Sequence, residues 1–216
     1  EIGLSSVVIP DNVKTIGENA FRYCSSLTSV TIGSGVTFIE EDAFSGCDNL
    51  ESVYISDLAA WCKIRFFDES PSRNGNPLRI AHHLYLNGVE IEGLIIPNSV
   101  TSIGYYAFYN CNGLTSVTIP YGVTSVKNFA FGNCTNMTDV YCYAKDVPNT
   151  GNNAFDGTPT ETSILHVPAS AVEAYSAAWP WSDFKEIVPL DDTPLIDNGI
   201  IFALKDDGTL EVVGLS

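Results

Sequence analysis

Apolar residues return along this chain at one fixed interval. Leu4, Leu27 and Leu50 are spaced by 23 residues, as are Ile91, Leu114 and Met137, and self-similarity at such a period marks a repeat solenoid. The stretch from Leu114 to Asn136, LTSVTIPYGVTSVKNFAFGNCTN, shows one unit in full. Its anchors are Leu114, Val117, Ile119, Val123, Val126, Ala130, Phe131 and Cys134, with Thr and Ser between them. The Leu-Thr-Ser-Val-Thr-Ile run alternates apolar and small polar residues and is rich in β-branched side chains, which predicts a strand with one buried face. Pro120 stops it, because proline gives a ladder no amide donor. Tyr121-Gly122 then turns the chain into a second short strand at Val123-Thr124-Ser125-Val126. Ala130-Phe131 puts a small residue where backbones approach and a ring between coils, and Gly132-Asn133-Cys134 closes the turn.

One such unit cannot fold alone. Ordering each backbone residue costs about 1–2 kcal/mol, while each fully buried apolar side chain returns about 1.5–3 kcal/mol. Stacking is therefore compulsory, through parallel ladders about 4.8 Å apart that lay the anchors of each coil over those of the last. The expected fold is a β-rich repeat solenoid over residues 1–190, followed at 191–216 by a linker (Asp191–Pro194) and a β-hairpin around Asp206-Asp207-Gly208 that reads as the start of a further module. The chain opens inside a repeat at Glu1-Ile2-Gly3-Leu4 with no polar cap, which implies further coils upstream.

Two stretches break the period. Repeat three begins regularly at Leu50, Val53 and Ile55, yet Ile91 arrives about 18 residues late, which places an insertion at 56–90. Within it Asp57 is set to cap a short helix through Trp61-Cys62, the polar run 68–77 is a connector, and Asn87-Gly88 between His83-Leu84-Tyr85-Leu86 and Val89-Glu90-Ile91 signals a two-residue hairpin. Trp61, Phe66 and Phe67 are expected to pack the insertion on the array. Repeat six also decays: Tyr143–Pro148 replaces the usual turn, Ala154-Phe155 comes one residue late, and Thr158 stands where Cys is expected. Residues 163–190 read as a helical C-terminal cap. In it a Ser170-to-Glu173 capping box opens a helix reaching Trp179, and Trp181, Phe184, Ile187 and Val188 close the apolar end.

The joint pattern of LTSVTIP, then VTSV, then AF, then Cys, is similar to the BspA-like, treponemal-type leucine-rich repeat of bacterial surface proteins. The resemblance covers Leu4 to about Leu190. It implies a leucine-rich-repeat right-handed superhelix displayed at the cell surface or outside the cell. It further implies a non-catalytic role in adhesion or protein binding, with host extracellular matrix proteins such as fibronectin as partners. Two readings from other classes stand beside it: an architectural spacer that displays a neighbouring domain, and a carbohydrate-binding module.

Charge narrows the partners. With 10 Lys and Arg against 26 Asp and Glu, the formal charge is -16, which opposes binding to the phosphates of nucleic acid. It suits basic partners or Ca²⁺, or simply a solubilising surface. No apolar run reaches the ~20 residues of a membrane span. The sequence does not set the oligomeric state.

Candidate chemistry is sparse. Cys24, Cys47, Cys111 and Cys134 share one repeat position and read as a packing ladder of free thiols, although bridges between Cys24 and Cys47 or Cys111 and Cys134 remain open alternatives. Cys62 and Cys142 lie off that ladder, and no spacing suggests zinc. His82 and His83, adjacent on a strand, should point to opposite sides, and Glu90 and Glu92 read as solvent-facing alternate strand positions rather than as a glycosidase pair. No catalytic residue, metal or cofactor is expected. The candidate binding surface is instead the outward stripe of the first strands, Val8, Thr31, Tyr54, Ile95, Thr118, Tyr141 and His166, flanked by Ser29, Ser52, Ser116 and Asp139. Tyr54 and Tyr141 are its natural anchors, because tyrosine offers large amphipathic area at low entropic cost.

Overall fold

The computed structural model describes residues 3–67 and 75–190, and beyond them the strand backbones at 195–197, 200–204 and 210–215. In chain order the first coil carries β1 (Ser6–Ile9) and β2 (Thr15–Ile16), the second β3 (Ser29–Ile32) and β4 (Phe38–Ile39). The third carries β5 (Ser52–Ile55), α1 (Leu58–Trp61) and β6 (Arg65–Phe66), and is followed by α2 (Leu78–Ala81), β7 (Leu84–Leu86) and β8 (Val89–Glu90). Then come β9 (Gly93–Ile95) and β10 (Ser102–Ile103), β11 (Ser116–Ile119) and β12 (Ser125–Val126), and β13 (Asp139–Cys142) and β14 (Asn149–Thr150). The cap holds β15 (Ile164–Val167), α3 (Val172–Ser176) and β16 (Glu186–Pro189), and the tail β17 (Leu195–Asp197), β18 (Ile200–Leu204) and β19 (Leu210–Leu215).

First strands pair only with first strands, and second strands with second strands. This gives the sheet order β1-β3-β5-β7-β8 and, further on, β16-β15-β13-β11-β9, with smaller sheets β2-β4-β6 and β10-β12-β14 on the second face. Every pairing in these four sheets is parallel except the β7–β8 hairpin. Ser6 pairs with Ser29 and Ser29 with Ser52, so the register advances by the sequence period. The chain is therefore a repeat solenoid, as its periodicity predicts. β17, β18 and β19 form an antiparallel sheet of their own, whereas the linker at 191–194 and the Asp206-Asp207-Gly208 turn lie outside the described residues.

The threonines that lead into the strands have a backbone task. The hydroxyls of Thr28, Thr115 and Thr138 donate to the carbonyls of Ser5, Glu92 and Thr115, each 23 residues earlier, and Thr37 and Thr124 repeat this on the second face. Gly33-Ser34-Gly35 is a turn stacked on the previous one. Ser34 gives both its amide and its hydroxyl to Asp11 Oδ1, and a Cβ on Gly35 would meet the Asp11 carbonyl oxygen at 1.7 Å.

The Ala-Phe corner closes each coil. Left-handed residues four apart flank it, Asn19 and Tyr23, Asp42 and Gly46, Tyr106 and Asn110, then Phe129 and Asn133. Stacked rings rise through it in columns: Phe21 on Phe44 at 5.1 Å, Phe108 on Phe131 at 5.4 Å, and Phe131 on Phe155 at 5.6 Å. Where one Ala-Phe corner follows another, the Phe amide donates to the next coil's Ala carbonyl: Phe21 to Ala43, Phe108 to Ala130 and Phe131 to Ala154. The thiol donates in the reverse direction, Cys47 Sγ to Phe21 O at 3.0 Å and Cys134 Sγ to Phe108 O at 3.2 Å. Thr158 performs the same task in repeat six, its hydroxyl donating to Phe131 O while accepting from the Cys134 amide.

The insertion turns out to be an enlarged coil rather than an appendage. Asp57 caps α1 by accepting from the Ala60 amide at 2.9 Å, and Asn87 and Gly88 take the positive φ of a tight hairpin turn. β6 continues the second face from β4, and β7 continues the first from β5, pairing Val53 with Leu84. Toward coil four, side chains replace the missing rungs. The buried Trp61 indole N–H donates to Ala107 O at 2.8 Å, the carbonyl that a Phe amide would serve in a regular stack. Asn76 Nδ2 serves Tyr106 O, Asn110 Nδ2 serves Arg79 O, and the Gly104 amide reaches Cys62 O.

Several expectations need correction. His82 and His83 do not share a strand: His82 ends α2 at φ 64 and His83 precedes β7. Glu92 lies outside β8, so it shares no strand with Glu90. The Ser170-to-Glu173 capping box does not form, because Pro168 leads into a 3-10 turn at Ala169–Ala171 that already aligns the backbone of α3, and the helix stops at Ser176, short of Trp179. Val188 pairs with His166 on the outward side, while Ile187 pairs with Leu165, so only the latter faces inward with Trp181 and Phe184.

Thr158→Val removes the hydroxyl that satisfies two buried backbone groups, so it is expected to lower unfolding stability by about 1–3 kcal/mol; Thr158→Cys, which restores the repeat's own residue, is expected to lose less in the same urea titration. Trp61→Phe keeps a ring but leaves Ala107 O unserved, and a loss of at least about 1 kcal/mol is expected from the same measurement.

Candidate functional site

The outward side chains of the first strands lie in register. Val8 pairs with Thr31 and Thr31 with Tyr54; Ile95 pairs with Thr118, Thr118 with Tyr141 and Tyr141 with His166. These seven positions do not form one stripe, however. After Tyr54 the next rung is Tyr85 rather than Ile95, because β7 follows β5 in the first sheet and β9 belongs to the second. The surface is two stretches, one from Val8 to Tyr85 and one from Ile95 to Val188. Tyr85 and Val188 were not identifiable from the repeat spacing: Tyr85 stands 31 residues beyond Tyr54, and Val188 sits in the cap.

Each stretch carries a stacked aromatic pair beside a carboxylate. Tyr54 lies on Tyr85 with centroids 4.8 Å apart, and Tyr141 on the His166 ring at 4.3 Å and 11°. Rung spacing imposes this contact, since neighbouring parallel strands hold their rings about 4.8 Å apart. His166 Nε2 lies 2.8 Å from Asp139 Oδ1, and His83 Nδ1 lies 2.5 Å from Glu90 Oε1, whose other oxygen accepts from the Tyr85 hydroxyl at 3.4 Å. Partial desolvation and then the Glu90 charge push the Tyr85 phenol above its ordinary value; desolvation and then Asp139 do the same for Tyr141. Thr31, Tyr54, Thr118, Tyr141 and His166 are half-buried by their neighbours, while Val8 and Ile95 are exposed. The face is thus aromatic and mildly acidic, with carboxylate acceptors and phenolic donors.

A model of the BspA type leucine rich repeat region matches residues 1–72 and 79–178 in six copies. The chain belongs to that family. Similar solved structures include a leucine rich cell surface protein from Faecalibacterium prausnitzii, 21% identical over 87% of this chain and 60% of that one, with a TM-score of 0.41. The pneumococcal vaccine antigen PcpA is 17% identical over 88% of this chain and 42% of its own, with a TM-score of 0.45. A Treponema pallidum leucine rich repeat protein is 19% identical over 86% and 70%, with a TM-score of 0.37. This chain thus spans less than two thirds of the first two. A comparison with curated proteins finds no match.

In this BspA-type repeat the cysteines fill the core. All six are free thiols, and Cys47, Cys62, Cys111, Cys134 and Cys142 are buried. Burial raises Cys62 and Cys111 to about 12 and Cys47 and Cys142 to about 11, and lifts Cys134 well above its ordinary value. Such thiols are poor nucleophiles at neutral pH, since the thiolate is the reacting form. Cys142 also meets the Tyr175 hydroxyl at 3.1 Å, which in turn donates to Ala144 O. The amides of Asn133 and Asn136, each in a glycosylation sequon, are engaged by Tyr109 and by the Asn112 carbonyl. Among the described residues no group of three His, Cys, Asp or Glu side chains is placed to hold a metal, and no helix is long and apolar enough to cross a membrane.

The raised thiol values set an alkaline limit. Above about pH 8.5 the unfolded chain releases thiol protons that the folded chain retains, so stability is fully present below that pH and falls as pH rises toward the folded values of about 11 to 12. Burial of Tyr143 and Tyr175 acts in the same direction. The urea midpoint is expected to be level from pH 6 to 8 and to drop steadily above 9, with a shallower drop in Cys62→Ala.

Proposed function

We propose that this chain is a non-catalytic surface module that binds a basic protein partner, such as a host matrix protein, through the two stretches of its first-strand face. The observation that carries the reading is the pair of ring stacks, Tyr54 on Tyr85 and Tyr141 on His166, held at rung spacing on the sheet. Prepacked rings present amphipathic area whose conformational entropy is already lost, so little more is lost on binding. Asp139 and Glu90 beside them, and a formal charge of -16 on the chain, favour a partner with a basic surface and salt-sensitive association. Membership of the BspA-type repeat family, which the sequence pattern likens to bacterial surface proteins, supports an extracellular setting. Residues 1–190 would form the binding solenoid and 191–216 a separate module.

Tyr54→Ala combined with Tyr141→Ala should leave the fold intact, since neither ring belongs to the core. Binding to immobilised fibronectin, read by surface plasmon resonance, is expected to weaken at least about tenfold, the equivalent of 1.4 kcal/mol. Equal binding by the folded double variant would discard the face, and no binding by either protein would favour a spacer.

A further inference from the structure

Coil six is covered by the cap rather than by another coil. Trp181 lies edge-on to Phe155 at 5.2 Å and gives its indole N–H to Thr150 Oγ1 at 2.9 Å. The cap does not reproduce the outline of a coil, and a cleft of about 400 Å³ remains between the segment 152–161 and the segment 179–183. Small-ligand sites occupy about 300–1,000 Å³. One wall is Trp179, 52% exposed, while Trp61 and Trp181 are buried. Its ring is fixed rather than loose, because Nε1–H donates to Asp183 Oδ2 at 2.9 Å. The same cleft is lined by Asn152, Asn153, Asp156 and Glu161, all exposed, and the lining contains no Lys or Arg.

We propose that this cleft binds a sugar residue of a glycan, with one face of the pyranose ring on Trp179 and its hydroxyls on the amides and carboxylates of the lining. A wholly apolar ligand would strip water from Asn152, Asp156 and Glu161 and return no hydrogen bonds. An anion would meet carboxylates and no cation. A polyol carries hydroxyls that both donate and accept, matching amides that do both and carboxylates that accept, while its carbon-bound hydrogens present an apolar face to the indole. The site is separate from the sheet face and goes beyond protein binding.

The test uses the full chain, with the Trp179 indole N–H signal in a nitrogen-15 spectrum assigned through Trp179→Phe. Methyl glycosides of glucose, galactose, mannose and N-acetylglucosamine are titrated at millimolar concentration. At least one is expected to shift the Trp179 signal saturably and leave that of Trp61 in place. Trp179→Ala should abolish the interaction, and Asn152→Ala with Asp156→Ala, both exposed and outside the cap, should weaken it at least tenfold with the fold unchanged. The Tyr54 and Tyr141 double variant should bind the sugar normally, which separates this site from the sheet face. No shift with any glycoside, or a shift with N-acetyl-arginine amide in place of every glycoside, would overturn the proposal.

Discussion

The backbone amides and carbonyls of each coil face its two neighbouring coils, and the whole structure depends on their being met there. On both strand faces a carbonyl's partner is a backbone amide, and at the corner it is the Phe amide that reaches the following Ala carbonyl. A near-constant repeat length follows from this arrangement, because a residue added within a strand or corner would shift its donors from their acceptors, whereas one added in a turn is absorbed there. Burial supplies most of the driving force, but apolar contact alone tolerates sliding. The hydrogen-bond rows do not, and they fix which residue lies over which.

Departures from the period are therefore informative, and in both cases a side chain takes over what backbone or thiol does elsewhere. At the enlarged third coil the Trp61 indole and the Asn76 and Asn110 amides bridge to coil four. In coil six the extra residue falls in the turn before β14, so that Ser125 pairs with Asn149, 24 residues on, and the corner beyond it still closes through the Thr158 hydroxyl. The stack thus accommodates irregular coils as long as the corner carbonyls find donors. Trp61 illustrates why a buried tryptophan is not interchangeable with another large ring: its polar edge is a rung.

Much of this was legible in the sequence because stacking translates spacing directly into contact. The strands, the Phe columns, the Asp57 cap and the Asn87-Gly88 turn all rest on local chemistry repeated at a fixed interval. Tyr85 was not legible as a member of the face, since nothing local says that the strand after a long insertion returns beside β5 rather than forming an isolated hairpin. Ser170 and Glu173 misled for the opposite reason. Their spacing is that of a capping box, but Pro168 and the 3-10 turn after it already determine how the chain enters α3. Val188 shows the same limit, because one residue of register in β16 decides which side chain faces inward.

The same geometry separates what is constrained from what is free. Inward positions of the first strands are Val7, Val30, Val53 and Leu84, then Leu94, Val117, Val140, Leu165 and Ile187, all aliphatic and of similar size. The positions one residue later run Val8, Thr31, Tyr54 and Tyr85, then Ile95, Thr118, Tyr141, His166 and Val188, with no common chemistry. A strand propensity for β-branched residues accounts for the valines, threonines and isoleucine of this second series. Aromatic residues share that propensity and stacked cross-strand pairs stabilise a sheet; what propensity does not supply is the carboxylate in contact with each of the two pairs. Side chains that the core leaves unconstrained have converged on one arrangement twice, in two different sheets. That recurrence, rather than the presence of tyrosine as such, is what motivates the proposal that this face recognises a partner.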